Sequence, residues 1–455
     1  MNVIKLYWAC CLFLSINAGL RAQMLSSSAL REDLQLLKES ILDYNPAVDF
    51  YTPDFIDLAD ELIEEVKDSV SVFEAFSLIS RMCASANEGH FELGTWDDPV
   101  HRGIRDDIKP FFPIAIYLVD EVISVRGDFS NEGYLSPGDR ILSINGIPTG
   151  KLLQHLRNHI PTDGYIETYA NQRIASSFPW LYFFYVQQAR QFTIEYTPRG
   201  TEEIKTVVTQ AQTRAQRKAN ALRRYSVPES KGPSRSNMYS MEYFDTVAVL
   251  KLKSFDFRLV EEFDIKADKL YKDLFKECNE RGIRHLVIDL RNNRGGRLEF
   301  GEEIVPYIMK TDQEHDYLVQ SISWKGKVRT ERMPRMSNHA FLGQLYALVN
   351  GETYSTGATV ARYLREYGEA KIIGEEGGTR YEGFVAGSSQ YVFLPNSQIR
   401  IGIPCYHKEY PPSEVQQTEN RGIIPDRRIS QTIDDIMKSK DVVMDYTLSL
   451  IRSGR

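Results

Sequence analysis

After its first two dozen residues the sequence has no long hydrophobic run, so no later segment is apolar enough to cross a bilayer. Cysteine is scarce, five in 455 residues, and two of these are adjacent at Cys10 and Cys11. The other three, Cys83, Cys278 and Cys405, are far apart and odd in number, which excludes a disulfide framework and any metal-type cysteine spacing. Basic charge is in deficit, with 55 Lys and Arg against 62 Asp and Glu, so nucleic acid is an unsuitable partner. No GxGxxG or GxxxxGK pattern occurs, so neither dinucleotide nor P-loop nucleotide binding is expected. No cofactor and no metal is implied.

The start of the chain is different. Lys5 precedes "LYWACCLFLSINAGL", a run too short for a membrane span, and "LRAQ" offers a cleavage point after Ala22, the pattern of a secretory signal peptide over residues 1–22. Its removal takes away Lys5 and Arg21 and no acid, moving the net charge from −7 to −9. The expected product is an exported protein, periplasmic or extracellular, with no transmembrane segment in the mature chain. Lipid anchoring at Cys10 or Cys11 is the disfavoured alternative, because the apolar run before them is short and Tyr7 and Trp8 fit a lipobox poorly. With 42% hydrophobic and 26% charged residues the remainder is globular, long enough for roughly two to four domains.

Three patterns follow one another. Over residues 23–108 the period is helical: Leu30, Leu34, Leu37, Ile41 and Tyr44 form one face, and two further amphipathic stretches lead to "NEGHFELG". Over residues 109–208 short β runs ("PIAIYLV", "EVISVRG", "RILSING", "QFTIEYTP") surround "LSPGDRILSINGIPT". Those blocks resemble a PDZ domain, departing from its peptide-binding kind at "KPFFPIAI", which lacks a glycine-rich carboxylate turn. Residues 209–240, polar with seven basic residues, read as a solvated linker or exposed helix. Over residues 241–455 strands and helices alternate, which predicts an α/β domain with a largely parallel sheet and ligands at the carboxyl ends of its strands.

Two stretches leave strands at such ends. In "NGETYSTGATVARYL" Ser355 sits where a strand turns into a helix, a place that suits both a hydroxyl capping free N–H groups and a nucleophile beside an oxyanion site. In "IDLRNNRGG" the glycines serve either a tight turn or the approach of a backbone N–H to a reacting carbonyl.

"HLVIDLRNNRGG", "LYALVNGETYSTGATVARYL", "AKIIGEEGGT" and "TENRGIIPD" occur in the order and spacing of the C-terminal-processing and tricorn-core serine peptidases. With the PDZ-like block and "NEGHFEL" the resemblance runs from about residue 25 to 435. It implies a helical bundle, a PDZ-like domain and a crotonase-like α/β catalytic domain, in a tail-specific-protease-like serine endopeptidase acting on peptides or proteins through an acyl-enzyme. Position by position, the nucleophile falls on Ser355. The oxyanion donors are the backbone N–H of Thr356 and that of Gly295 or Gly296. The lysine base of one branch falls on Arg380, which cannot accept a proton. The histidine base of the tricorn-like branch falls on His90, where the serine that precedes it in that branch is replaced by Gly89. The supporting carboxylate falls on Glu419, for which orienting the imidazole and being a surface loop acid stand level. A non-catalytic peptide- or lipophile-binding protein on the same fold is the alternative from another class.

Overall fold

The computed structural model describes residues 24–454 apart from 96, 226–231, 314 and 315. The expected signal peptide and both leading cysteines therefore lie outside the described residues.

The helical pattern forms as read. Helix Ser27–Tyr44 is capped by Ser26, whose hydroxyl accepts the Ala29 N–H at 3.2 Å, and its Leu30, Leu34, Leu37 and Ile41 are fully buried. Helix Val72–Ser85 starts with a reciprocal capping box between Ser71 and Glu74. These helices do not close a core alone. Their apolar cluster continues into Phe183 and Phe184 and into Leu394, Ile399, Ile401 and Ile403 of a distant hairpin. The segment after them pairs with that hairpin, Leu93 opposite Ile401 and Glu92 opposite Gly402. That pairing fixes where the "NEGH" loop points.

All four β runs of the second segment become strands: Ile114–Val119, Val122–Asp128, Arg140–Ile144 and Gln191–Thr197, joined by Lys205–Gln210 in one antiparallel sheet. Helices Thr149–Arg157 and Glu167–Tyr185 lie between Ile144 and Gln191 in the chain and complete a core around Phe112, Phe178, Tyr182 and Phe192. The stretch expected as a linker holds a helix, Arg214–Arg224, fastened to this sheet by Arg217 on the Phe112 carbonyl and Asn220 on the Phe129 carbonyl. Arg217, Arg223 and Arg224 cap backbone oxygens, while Arg214 and Lys218 are exposed.

The third segment builds a six-stranded sheet in the order Tyr239–Phe244, Val247–Leu252, His285–Asp289, Gln344–Val349, Lys371–Gly374, Arg427–Arg428, antiparallel in the first pair and parallel in the rest. Because side chains alternate along a strand, each strand splits between two cores. Leu250, Ile288, Ala347 and Ile372 face the helices Ala267–Glu280 and Thr356–Glu366, while Val249, Val287, Leu348 and Ile373 face Val442–Arg452. Burial on both faces explains why these strands read as continuous apolar runs. The hairpin Gly383–Phe393 and Arg400–Glu409 leaves this sheet and forms a second one with Tyr317–Ser323 and Val328–Arg332. Two stretches that each read as one helix are broken: "LVEEFDIKADKLYKDLFKEC", residues 259–278, at Asp264, which has a φ of 47°, and "RLEFGEEIVPYIM", residues 297–309, into Glu299–Glu302 and Val305–Ile308. Cys83, Cys278 and Cys405 are buried free thiols.

Candidate active site

Strand Gln344–Val349 ends in a turn held by Thr353, whose hydroxyl accepts the Asn350 N–H and donates to the Leu290 carbonyl at 2.9 Å. The turn delivers Ser355 to the first position before helix Thr356–Glu366 with φ 54° and ψ −127°, a left-handed conformation costly for any residue but glycine. In this conformation its side chain makes no capping hydrogen bond. Of the two uses that suit a serine here, capping is therefore not the one observed. Strain of this kind at a strand-to-helix turn is a mark of a site.

The Ser355 N–H is occupied by the Thr379 hydroxyl at 2.7 Å. The next N–H, that of Thr356, stands in the first helical turn and has no partner within the helix. The loop Leu290–Gly296 wraps this helix start: Tyr354 donates its N–H to the Asn293 carbonyl, and the Thr356 hydroxyl donates to the Gly296 carbonyl. A Cβ on Gly295 would lie 2.8 Å from Ser355 Cβ and 2.7 Å from Thr356 N, so only glycine lets the loop come this close. The two glycines are not equivalent. The Gly295 N–H donates to Asn293 Oδ1 at 2.9 Å, which takes it out of use as an oxyanion donor. At Gly296, with φ 135°, the flanking Gly295 carbonyl and Arg297 N–H bond to Phe255. The Gly296 N–H is thereby left pointing away from that strand.

His90 is half-buried beside this turn, with its Nε2 shielded from solvent. Its Nδ1 lies 2.9 Å from the Tyr354 hydroxyl, its ring stacks on Tyr354 at 4.6 Å and on Phe384 at 5.4 Å, and its Nε2 has no hydrogen-bond partner. Burial pushes its pKa below the usual histidine range, and the nearby charge of Asp163 opposes that shift. Tyr354, the residue before the serine, is what joins the histidine to the elbow. The absence of a side chain at position 89 makes room for it, since a Cβ there would meet the Tyr354 hydroxyl at 2.5 Å.

Arg380 is fully buried and pairs with Glu88 at 2.7 Å, donates to the Asn87 carbonyl and to Asn420 Oδ1, and lies 3.6 Å over the Tyr51 ring. It anchors the "NEGH" loop to the α/β segment. Glu419 is exposed and no hydrogen bond joins it to His90. The chain is instead tied down one residue later, where the Asn420 N–H donates to Glu382 and its carbonyl accepts the Tyr165 N–H. The structure thus sets the Gly295–Gly296 turn against Ser355 and Thr356 and places His90 against Tyr354, with no hydrogen bond between His90 and Ser355, and leaves Glu419 exposed. Sequence reasoning missed Tyr354, quoted in "TYSTG" without a role, and Asn293, whose side chain decides between the two glycines. Among the described residues no group of three His, Cys, Asp or Glu side chains is placed to hold a metal ion.

Residues 246–429 match peptidase family S41. No curated protein matches the chain significantly. Among solved structures, mature CPAF complexed with lactacystin matches at 13% identity and a TM-score of 0.64, covering 94% of this chain and 100% of that one. Mature CPAF alone matches at 13% identity and 0.62, covering 90% and 94%. The photosystem II D1 C-terminal processing protease matches at 14% identity and 0.40, covering 87% and 93%. The matched family segment contains Ser355 and both glycines, with His90 contributed from outside it. Residues 246–429 are thus a peptidase family S41 domain, and the chain around it has the fold of mature CPAF.

Proposed function

We propose that this is an exported endopeptidase that cleaves peptide bonds through an acyl-enzyme on Ser355. The observation that carries the reading is the left-handed Ser355, which caps nothing and stands against Gly295, with His90 bonded to the adjoining Tyr354. Ser355 Oγ attacks the scissile carbonyl carbon while its proton passes to His90 Nε2, the nitrogen without a partner. The N–H groups of Thr356 and Gly296 receive the oxyanion. The amine leaves with the proton from His90, and a water then splits the ester by the same route.

A tautomer follows from this assignment. For Nε2 to accept, Nδ1 must carry its hydrogen and donate it to the Tyr354 hydroxyl. Room for a chain lies beside the elbow, in a cleft of about 1840 Å³ between two segments that Ser355 and His90 do not themselves line. One wall is the edge strand Ile114–Val119 with helix Glu167–Tyr185, and the other is formed by Asn292, Asn350 and Glu352 just before the elbow. In this reading the PDZ-like segment engages substrate there.

The test is hydrolysis of an unfolded protein by wild type, Ser355→Ala and His90→Ala. Both variants should fall to background while unfolding at the wild-type temperature. The wild-type acid limb should lie below the ordinary histidine value of about 6.5, because burial keeps the base neutral to lower pH. Turnover by purified Ser355→Ala would end the nucleophile assignment, and a limb above 7 would exclude a buried histidine base.

A further inference from the structure

The second segment does more than border the cleft. Its loop between helices Thr149–Arg157 and Glu167–Tyr185 runs into the junction around His90. There the Gly164 N–H donates to the Asn87 carbonyl at 3.0 Å and the Tyr165 N–H to the Asn420 carbonyl at 3.0 Å. Asp163, fully buried, accepts the Gly89 N–H on Oδ1 at 2.6 Å and the Arg380 N–H on Oδ2 at 3.4 Å. An aspartate that only shaped its own turn would bond locally. These donors instead lie 74 and 217 positions away in the chain, in the histidine loop and in the α/β segment. Tyr169, from the following helix, extends the same junction by stacking on Tyr354 at 4.4 Å.

We propose that Asp163 is a positioning residue for His90. Its carboxylate fixes the backbone of the histidine loop and places a negative charge beside the imidazole, so the imidazolium formed when Ser355 gives up its proton is stabilised from the PDZ-like segment. This rests on His90 being the base. It assigns to Asp163 the supporting role that the sequence placed on Glu419, and it makes the catalytic unit depend on all three segments.

Other charged and titratable groups face this junction. Glu88 and Arg380 form their own pair at 2.7 Å. Tyr51 lies against Arg380 and bonds His407 through its hydroxyl at 2.9 Å. Tyr354 and Tyr169 are held neutral by burial, and Arg173 on the second segment's helix acts weakly on both. Glu88 and Arg380 offset one another, which leaves Asp163 as the carboxylate bonded to the residue preceding His90. It is also the charge that opposes the burial-driven fall in the histidine's pKa.

The experiment measures the second-order rate constant for labelling Ser355 by a fluorophosphonate across pH, which requires no knowledge of the substrate. It compares full-length wild type, Asp163→Asn, Asp163→Glu and His90→Ala. Asp163→Asn keeps an acceptor for the Gly89 N–H and removes the charge. Its acid limb should move down by about one pH unit and its plateau rate fall about tenfold. Asp163→Glu, which keeps the charge, should hold the limb at the wild-type pH even if displacement of the loop lowers the rate. If Asp163→Asn does not fold, the Asp163→Glu limb decides: unmoved supports the proposal, and moved down with the rate overturns it. An Asp163→Asn limb at the wild-type pH, whatever its rate, would reduce Asp163 to a structural tie while leaving His90 as base. His90→Ala labelling with the wild-type limb would remove the base assignment and this proposal together.

Discussion

Arg380 shows how much one residue can settle. Resemblance places it where a lysine base would stand, and an arginine cannot serve as one. In the structure it is spent on Glu88, Asn87 and Asn420 at zero exposure. Arg380→Met would leave the Glu88 carboxylate buried without its partner, a loss of about 3–5 kcal/mol. The expected outcome in urea unfolding is a lower midpoint with an unchanged slope, and a midpoint equal to wild type would show that Glu88 is not held as described. Legibility at this scale was uneven. Ser355, His90 and Thr356 could be found because their neighbours repeat a known order of residues. The Ser355 backbone angle could not, because "TYSTG" is compatible with an ordinary cap and only packing against Gly295 imposes positive φ. For Glu419 the two readings stood level; the structure shows it exposed, with the neighbouring Asn420 as the anchored residue of that loop. Asp163 left no local signal, since Asp-Gly reads as a turn wherever it occurs.

Among the elements, the parallel strands were legible and the broken helices were not. Val247–Leu252, His285–Asp289, Gln344–Val349 and Lys371–Gly374 follow from apolar runs flanked by turns. The break at Asp264, where the backbone turns to a φ of 47°, and the split at residues 303 and 304 are not carried by periodicity, because the apolar spacing continues through both. That loop is the element on which chemistry depends most. A Cβ on Gly296 would fall 1.9 Å from the Phe255 carbonyl oxygen, a backbone atom that cannot step aside without breaking the bridge between the two residues. Gly296→Ala should therefore displace one oxyanion donor and lower kcat by about a hundredfold or more. Binding of an inactive peptide should change much less, because the cleft walls remain. A kcat within threefold of wild type would show that the oxyanion is held elsewhere.

For the whole molecule, the three expected segments are physically interleaved. The helical segment shares its core with the hairpin of the third, and the second reaches the histidine loop through Asp163 and the elbow through Tyr169. Sequence periodicity marks where one pattern stops and another begins, and it is silent about side chains that cross those borders. In the proposed mechanism the active unit therefore depends on the complete fold, with Ser355 from one segment and His90 from another. The most direct measurement is reaction of the full-length protein with a fluorophosphonate followed by peptide mapping of the adduct. A single adduct on Ser355, absent from Ser355→Ala and strongly reduced in His90→Ala, is the predicted result. An unlabelled wild-type protein, or an adduct on another serine that survives Ser355→Ala, would contradict it.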